Sequence, residues 1–218
     1  MNLYITISII ISVIIGYLIG SLNSSIIVIK VWKKVDIRNY GSKNAGLTNV
    51  HRVFGKSPAL VTLICDLLKG IIAVLVGRLI AHLFGVDNTL IVGYCAGISA
   101  FLGHIFPLYY GFKGGKGVLM AATTLLALDP LTFVIVIPFF ALILYITRYV
   151  SVSSILAAIA YPIITYITQS MRYFDAPLID AGFALLISII IIYMHRANIQ
   201  RLKNGTENKF TFKRKQEM

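Results

Sequence analysis

Apolar residues in this chain come in blocks of about twenty, the length at which a helix crosses the roughly 30 Å hydrocarbon core of a bilayer. They make up 58% of its 218 residues, and the mean hydropathy is +0.85. Soluble domains rarely exceed about half apolar content. Strand-period alternation is absent, so helices rather than barrel strands must satisfy the backbone in lipid. The sequence therefore predicts an all-α integral membrane protein.

The spans fall at about Leu3–Val28, Pro58–Phe84, Thr89–Tyr109, Leu131–Thr147, Val152–Ser170 and Leu178–Met194. Val118–Leu128 is equally apolar, but at 1.5 Å per residue it reaches only about 17 Å. The first span lacks a basic leader and a small-residue cleavage site, so it reads as a retained helix and not a signal peptide. Net charge is +12, with the basic residues beside the spans. Orientation in the bilayer and attraction to anionic lipid account for that placement, and no nucleic-acid recognition module accompanies it. Cys65 and Cys95 lie inside apolar segments and read as packing residues.

The positive-inside rule fixes the topology. With the N-terminus outside, Lys30–Lys56, Lys113–Lys116, Arg148 and the tail all face the cytosol. The opposite turns, Gly85–Asn88, Asp129–Pro130 and Met171–Pro177, then hold a single basic residue, Arg172. This requires Val118–Leu128 to count as a pass, which gives a seven-helix transmembrane bundle with one short helix and a cytosolic C-terminus. Five or six passes result if that region is re-entrant. The expected organisation is one polytopic membrane domain over residues 1–200 and a basic cytosolic tail over 201–218, flexible at its end.

Three cytosolic segments carry the candidate chemistry. The densest run of glycine and lysine is Gly111-Phe112-Lys113-Gly114-Gly115-Lys116-Gly117. Its glycines let the backbone turn N–H groups toward an anion, and its lysines add charge. The spacing is not that of a nucleotide P-loop, because three residues separate Gly111 from Gly115 and no hydroxyl follows Lys116. The short helix from Val118 gives the loop a positive dipole end. His104, just upstream, reads as a helix-end packing residue. A second segment runs from Asp36 to Arg52. There Ser42, Asn44, Thr48 and Asn49 can donate to phosphate or hydroxyl oxygens, and Arg52 can clamp one bidentately; a solvated basic loop set by topology is the alternative. The third segment joins Ser151–Ser154 with His195 and Asn198, which share one face in a helical continuation of the last span.

His82 and Asp87 match the H-x4-D spacing of the large soluble-face acyltransferase families, but the topology puts both on the outer side. Asn23 and Asn204 open glycosylation sequons that sit at a helix and in the cytosol. Asp66 and Lys69, spaced i, i+3 well inside the second span, carry an insertion cost of about 2.5–3.5 kcal/mol per charge and read as a structural pair or a support for the site. No carboxylate dyad, metal-ligand cluster or Ser–His–Asp arrangement emerges, which favours chemistry on a substrate that arrives already activated.

These segments resemble the bacterial PlsY family of acyl-phosphate-dependent glycerol-3-phosphate acyltransferases. The likeness covers Gly20-Ser21, Asp36-Ile37-Arg38, Gly41-Ser42 through Asn49 with Arg52, and Asp66 with Leu67-Leu68-Lys69-Gly70. It continues through Gly103-His104-Ile105-Phe106-Pro107, Phe112–Gly117, His195, Asn198 and Arg201-Leu202. Lys43 and Leu47 depart from the small residues usual in the first motif, and Leu119-Met120 from the usual Ala-Thr.

The resemblance implies transfer of a fatty acyl group from acyl phosphate to the 1-hydroxyl of glycerol 3-phosphate, giving lysophosphatidic acid and phosphate, with no cofactor and no metal. Ser42, Arg52, Lys116, His195 and Asn198 would be catalytic, holding glycerol 3-phosphate and lining the reacting centre. Asn44, Thr48, Asn49, Gly114, Gly115, Gly117 and Ser154 would bind substrate, the glycine loop cradling the phosphate of the donor. The proton acceptor is His195 or a phosphate oxygen of the substrate. The enzyme would be a multi-pass protein of the bacterial cell membrane with its site facing the cytosol. A phosphate or organophosphate transporter is the alternative, with Asp66 and Lys69 on its pathway. It predicts polar residues along several spans, and apart from that pair these are mostly Ile, Leu and Val.

Overall fold

The computed structural model describes residues 3–172 and 177–211. Among these residues the chain is all-helical, and six helical stretches are long and apolar enough to cross a membrane: Leu3–Lys33, Lys56–Leu83, Thr89–Tyr110, Pro130–Thr147, Val150–Arg172 and Pro177–Met194. Val118–Leu128 is a separate short apolar helix. The expected turn at Met171–Pro177 and the flexible end of the tail fall largely or wholly outside the described residues. The chain divides into two compact units, Met1–Leu128 and Asp129–Met218, where the sequence suggested one membrane domain.

The first unit contains α1 (Leu3–Ser21), α2 (Ser24–Lys33), α3 (Leu47–Phe54), α4 (Lys56–Leu83), α5 (Thr89–Ile105) and α6 (Val118–Leu128). What reads in the sequence as one continuous first span is broken at Leu22–Asn23. Asn23 caps α2 by accepting from the Ile26 N–H at 3.1 Å, a cap that competes with continuing the helix. A break at this depth frees carbonyls that lipid cannot solvate. Lys69 on α4 supplies the donor: its Nζ lies 2.9 Å from Leu22 O and 3.4 Å from Gly20 O. The same Nζ pairs with Asp66 at 2.9 Å.

Around this break α1 packs on both α4 and α5. Small residues form the α1–α5 seam. A Cβ at Gly20 would collide with the backbone of Ala100, and one at Gly103 with the backbone of Tyr17. Backbones approach this closely only where side chains vanish, and such seams take the place of the hydrophobic effect in holding membrane helices together.

A smaller core lies under the polar segment. Ile26, Ile29, Ile37, Ala45, Val50 and Ala59 are buried together, with Val35, Leu47, Phe54 and Tyr110 packed against them. The segment read as a loop between the first two spans thus contains a helix, α3, held by its apolar face. Its period was hidden among charges and is short enough that tertiary packing decides it.

The second unit contains α7 (Pro130–Thr147), α8 (Val150–Arg172), α9 (Pro177–Met194) and α10 (Arg196–Lys203), with α8 packed on both α7 and α9. Asp129 caps α7, which starts on Pro130, where a proline in the first turn is well tolerated. Buried Asp129 also accepts from the Thr132 hydroxyl and from Gln169 Nε2 at 2.8 Å, and Arg172 lies 3.5 Å away. The one basic residue assigned to the outer turns therefore has a carboxylate partner.

The α1–α5 seam yields a stability prediction. Gly20→Val places a branched side chain against backbone that cannot move aside. It should cost about 3 kcal/mol, the upper end for overpacking, whereas Gly85→Ala, at a turn where an added Cβ meets nothing, should cost no more than about 1 kcal/mol through its positive φ of 66°. Thermal unfolding in detergent measures both, and equal shifts would contradict the seam.

Candidate active site

In the first unit two polar loops meet. The Asp36–Gly46 loop opens with a 3-10 turn over Ile37–Asn39, capped by the Asp36 side chain accepting from Arg38 N. Asn49 on α3 then closes the loop upon itself. Its Oδ1 accepts from Ser42 N at 2.9 Å, and its Nδ2 donates to Tyr40 O and Asn44 O, both at 3.0 Å. Asn49 is buried and its amide is committed to shaping the loop that presents Ser42. Ser42 and Arg52 are exposed, while Asn44 and Thr48 are partly buried.

The glycine loop is anchored to the end of α5. Gly114 N donates to Ile105 O at 3.0 Å and Gly115 N to His104 O at 3.1 Å. The expectation that these glycines turn their N–H groups to a ligand is corrected here, since both are used by the helix end. Their lack of a Cβ serves packing instead: at Gly115 a Cβ would strike His104 Nε2 and lie 2.9 Å from Ala45 O in the other loop. Gly117, at φ 80°, leads into α6 with the Phe101 ring where a Cβ would stand. The N–H groups of the first turn of α6 have no partner within the helix. Lys116 stands just before them, partly buried.

Beneath the glycine loop the Lys69 Nζ reaches His104 Nδ1 at 3.0 Å. An ammonium only donates, so Nδ1 accepts and the ring proton sits on Nε2, the side facing Gly115. His104 is the buried helix-end residue the sequence suggested, and its contacts tie the charged pair in α4 to the floor of the loop.

In the second unit the last span breaks at His195, which begins α10. His195 N donates to Ile191 O and Ile192 O, so the turn is tight and the helix resumes with Ile199 N on His195 O at 2.9 Å. His195 and Asn198 are both buried on this turn. The His195 Nδ1 lies 2.8 Å from Ile191 O. A carbonyl only accepts, so Nδ1 carries the proton and in the neutral ring Nε2 is the basic nitrogen. Ser154 uses its hydroxyl on Val150 O at 2.8 Å.

Glu207 is the residue that reading the sequence missed. Its carboxylate accepts from Asn198 Nδ2 at 2.7 Å, Arg201 Nε at 2.7 Å and Ser151 Oγ at 3.0 Å. Burial pushes its carboxyl up, but the three hydrogen bonds outweigh that and hold it below the ordinary value of 4.5. The chain carries eight Asp and Glu residues in all, and an acid close behind a basic helix was the available signal. Beyond Glu207 the tail is held back on the α7–α8 turn by Phe210 N donating to Arg148 O at 2.6 Å.

The structure thus gathers Ser42, Asn44, Thr48, Asn49, Arg52, Gly114, Gly115, Lys116 and Gly117 in the first unit, and Ser154, His195 and Asn198 in the second. Among the described residues no group of three His, Cys, Asp or Glu side chains is placed to hold a metal ion.

Comparison with known proteins places the chain among relatives of one name. A relative named glycerol-3-phosphate acyltransferase in Chlorobaculum tepidum is 42% identical, covering 89% of this chain and 93% of the relative. Another of that name in Pelodictyon phaeoclathratiforme is 40% identical over similar shares, 89% and 93%. Among solved structures, the glycerol 3-phosphate form of PlsY, an integral membrane glycerol 3-phosphate acyltransferase, superposes with a TM-score of 0.79 at 35% identity, covering 94% of this chain and 96% of that one. Its lysophosphatidic acid form gives 0.77 at 33% identity, over the same shares. The family model described as glycerol-3-phosphate acyltransferase matches residues 10–205, so this integral membrane chain belongs to the glycerol-3-phosphate acyltransferase family.

Proposed function

We propose that this chain transfers a fatty acyl group from acyl phosphate to the 1-hydroxyl of glycerol 3-phosphate, releasing lysophosphatidic acid and phosphate. The observation that carries the reading is the family match over residues 10–205, which takes in all three polar segments. The solved relative in its glycerol 3-phosphate form supports the acceptor. The donor is argued from chemistry. A mixed anhydride needs no enzyme nucleophile, because phosphate is already a good leaving group.

The acceptor oxygen attacks the carbonyl carbon of the donor, a new C–O bond forms, and the bond from that carbon to the phosphate oxygen breaks. Ser42 and Arg52 hold the phosphate of glycerol 3-phosphate, with Asn44 and Thr48 adding donors and Asn49 fixing their loop. Lys116 and the first turn of α6 hold the phosphate of the donor and offset the charge that builds on it as it leaves. Gly114, Gly115 and Gly117 let that wall lie close to the head group. His195 takes the hydroxyl proton on Nε2, with Asn198 orienting the acceptor and Ser154 lining the substrate site. A phosphate oxygen of the substrate is the other proton acceptor; it predicts that His195→Asn retains near wild-type turnover.

We read the topology as seven passes, with Val118–Leu128 the short one, the N-terminus outside and the C-terminus in the cytosol. In a bacterial cell membrane this puts the basic loops beside the cytosolic pool of glycerol 3-phosphate, while the acyl chain stays in lipid. A transporter would need polar residues along several spans. The Asp66–Lys69 pair is instead occupied with a helix break and with His104.

Purified protein in detergent, supplied with acyl phosphate and glycerol 3-phosphate, should form lysophosphatidic acid; no product at any chain length would sink the reading. In the same assay Arg52→Ala and Lys116→Ala should lower kcat/KM by about 100-fold or more, the scale of losing one charged transition-state donor. His82→Ala and Asp87→Ala should leave it within about twofold of wild type, because the topology places them on the other side of the membrane.

Glu207 generates a pH prediction. Its carboxyl is held low in the folded chain, so its stabilisation is fully present above the ordinary value of 4.5 and is lost as pH falls through the lowered folded value. Glu207→Gln should unfold at a lower temperature than wild type at pH 7, and the difference should close below pH 4.5. A gap independent of pH would show that the charge is not what matters.

A further inference from the structure

Arg38 belongs to neither substrate cluster, yet it touches both polar loops of the first unit. Its Nε donates to Asp36 Oδ1 and Oδ2 at 3.0 and 3.1 Å, and its Nη2 to Oδ2 at 2.7 Å. Its Nη1 crosses to the other loop, donating to Tyr110 O at 2.6 Å and standing 3.4 Å from Lys113 O. These carbonyls lie at the entrance to the glycine run, and Asp36 lies at the entrance to the loop that carries Ser42. The guanidinium is partly buried and its charge is neutralised by Asp36 in a bidentate pair. A phosphate arriving here would meet a neutral pair whose donors are committed to protein, so the residue is poorly placed to bind substrate.

The two loops have a second point of contact. Gly115 sits so close to Ala45 O that a Cβ would be 2.9 Å from it, and Asn23 Nδ2 donates to the same carbonyl at 3.4 Å. Held at Arg38 on one side and at Ala45 on the other, the loops form one frame.

We propose that Arg38, seated by Asp36, is a positioning residue: a strut that fixes the Ser42 loop against the glycine loop and so sets the spacing between the two bound substrates. This rests on the reading that the first loop holds the acceptor and the second the donor. Lysine cannot replace it, since a point charge on a flexible stem cannot grip a carboxylate bidentately and reach a second loop at the same time. A strut acts on the alignment of reactants more than on their separate binding, and a misplacement of about 1 Å costs on the order of 100-fold in rate.

The test uses the full chain in detergent with Arg38→Lys, Arg38→Gln and Asp36→Asn. The two Arg38 variants should lose about 10- to 100-fold in kcat while KM for each substrate changes by less than about threefold. Asp36→Asn, which keeps the arginine but loosens its seat, should fall in the same direction by about 3- to 10-fold; it carries the test if the Arg38 variants do not fold. In parallel, spin labels at Lys43→Cys and Tyr109→Cys, in a background with Cys65 and Cys95 replaced by alanine, report the loop-to-loop distance without any substrate. That distribution should be narrow with Arg38 present and broad without it. A large rise in KM for one substrate at preserved kcat would make Arg38 a binding group, and an unchanged distribution would remove the strut; either overturns the proposal. A wild-type chain that forms no lysophosphatidic acid would defeat the functional reading alone, because the distance measurement still decides whether the strut exists.

Discussion

Lys69 carries a cationic group into the apolar part of α4, and much of the first unit is arranged to receive it. Its Nζ hydrogen-bonds to Leu22 O, Gly20 O and His104 Nδ1, and it forms an ion pair with Asp66 at 2.9 Å. An uncompensated charge at this depth would cost several kcal/mol, so removing any partner disturbs the others. Through Leu22 the lysine stabilises the break between α1 and α2. Through His104 it steadies the end of α5, on which Gly114 and Gly115 hang. One buried ammonium therefore links a helix break on one side to the floor of the glycine loop on the other.

The glycine loop has little freedom left after these contacts. Its middle N–H groups are tied to α5, and Tyr17 Oη reaches Phe106 O at 2.6 Å from α1. The Ser21 hydroxyl accepts from Leu108 N at 3.2 Å. Preorganisation of this kind suits the proposed site, which would hold two mutually repelling anions. Donors already in place need no rearrangement when charge shifts during a reaction, and this is where an electrostatic site gains over water.

Hydropathy alone carried the spans, because lipid forces every backbone group in them into a helix and leaves few alternatives. The ends observed differ from those expected by only a few residues, as with Lys56–Leu83 against Pro58–Phe84. Asp129-Pro130 was readable as the boundary between two apolar runs, because proline punctuates a helical pattern. The break at Asn23 was not, since Ser24 and Ser25 leave hydropathy high and the decisive partner, Lys69, is far away in sequence. Helix α3 was hidden because Val50 and Leu47 gain their partners only when α2 and α4 close over them. At the site, residue types in the right loops were legible, but their duties were not. Asn49 reads as a ligand donor in sequence and is a loop brace in space, and Glu207, an acid close behind a basic helix, shows its duty only when Asn198 and Ser151 converge on it.

These duties matter for the proposed chemistry, in which an already activated donor would leave little bond-making to the protein. With no nucleophile to supply, rate would come from alignment and from charge held in place. Such an enzyme should be unusually sensitive to residues that touch no substrate at all. Asn49, Arg38, His104 and Glu207 are of this kind: each is bonded to protein on every side the structure shows, and each stands one contact away from a candidate substrate group or the glycine loop. Groups that grip substrate can be shortened and leave a weakened site, whereas loss of a brace lets two otherwise intact anion holders drift out of register. That asymmetry explains why the polar segments here hold so many side chains directed at their own backbone.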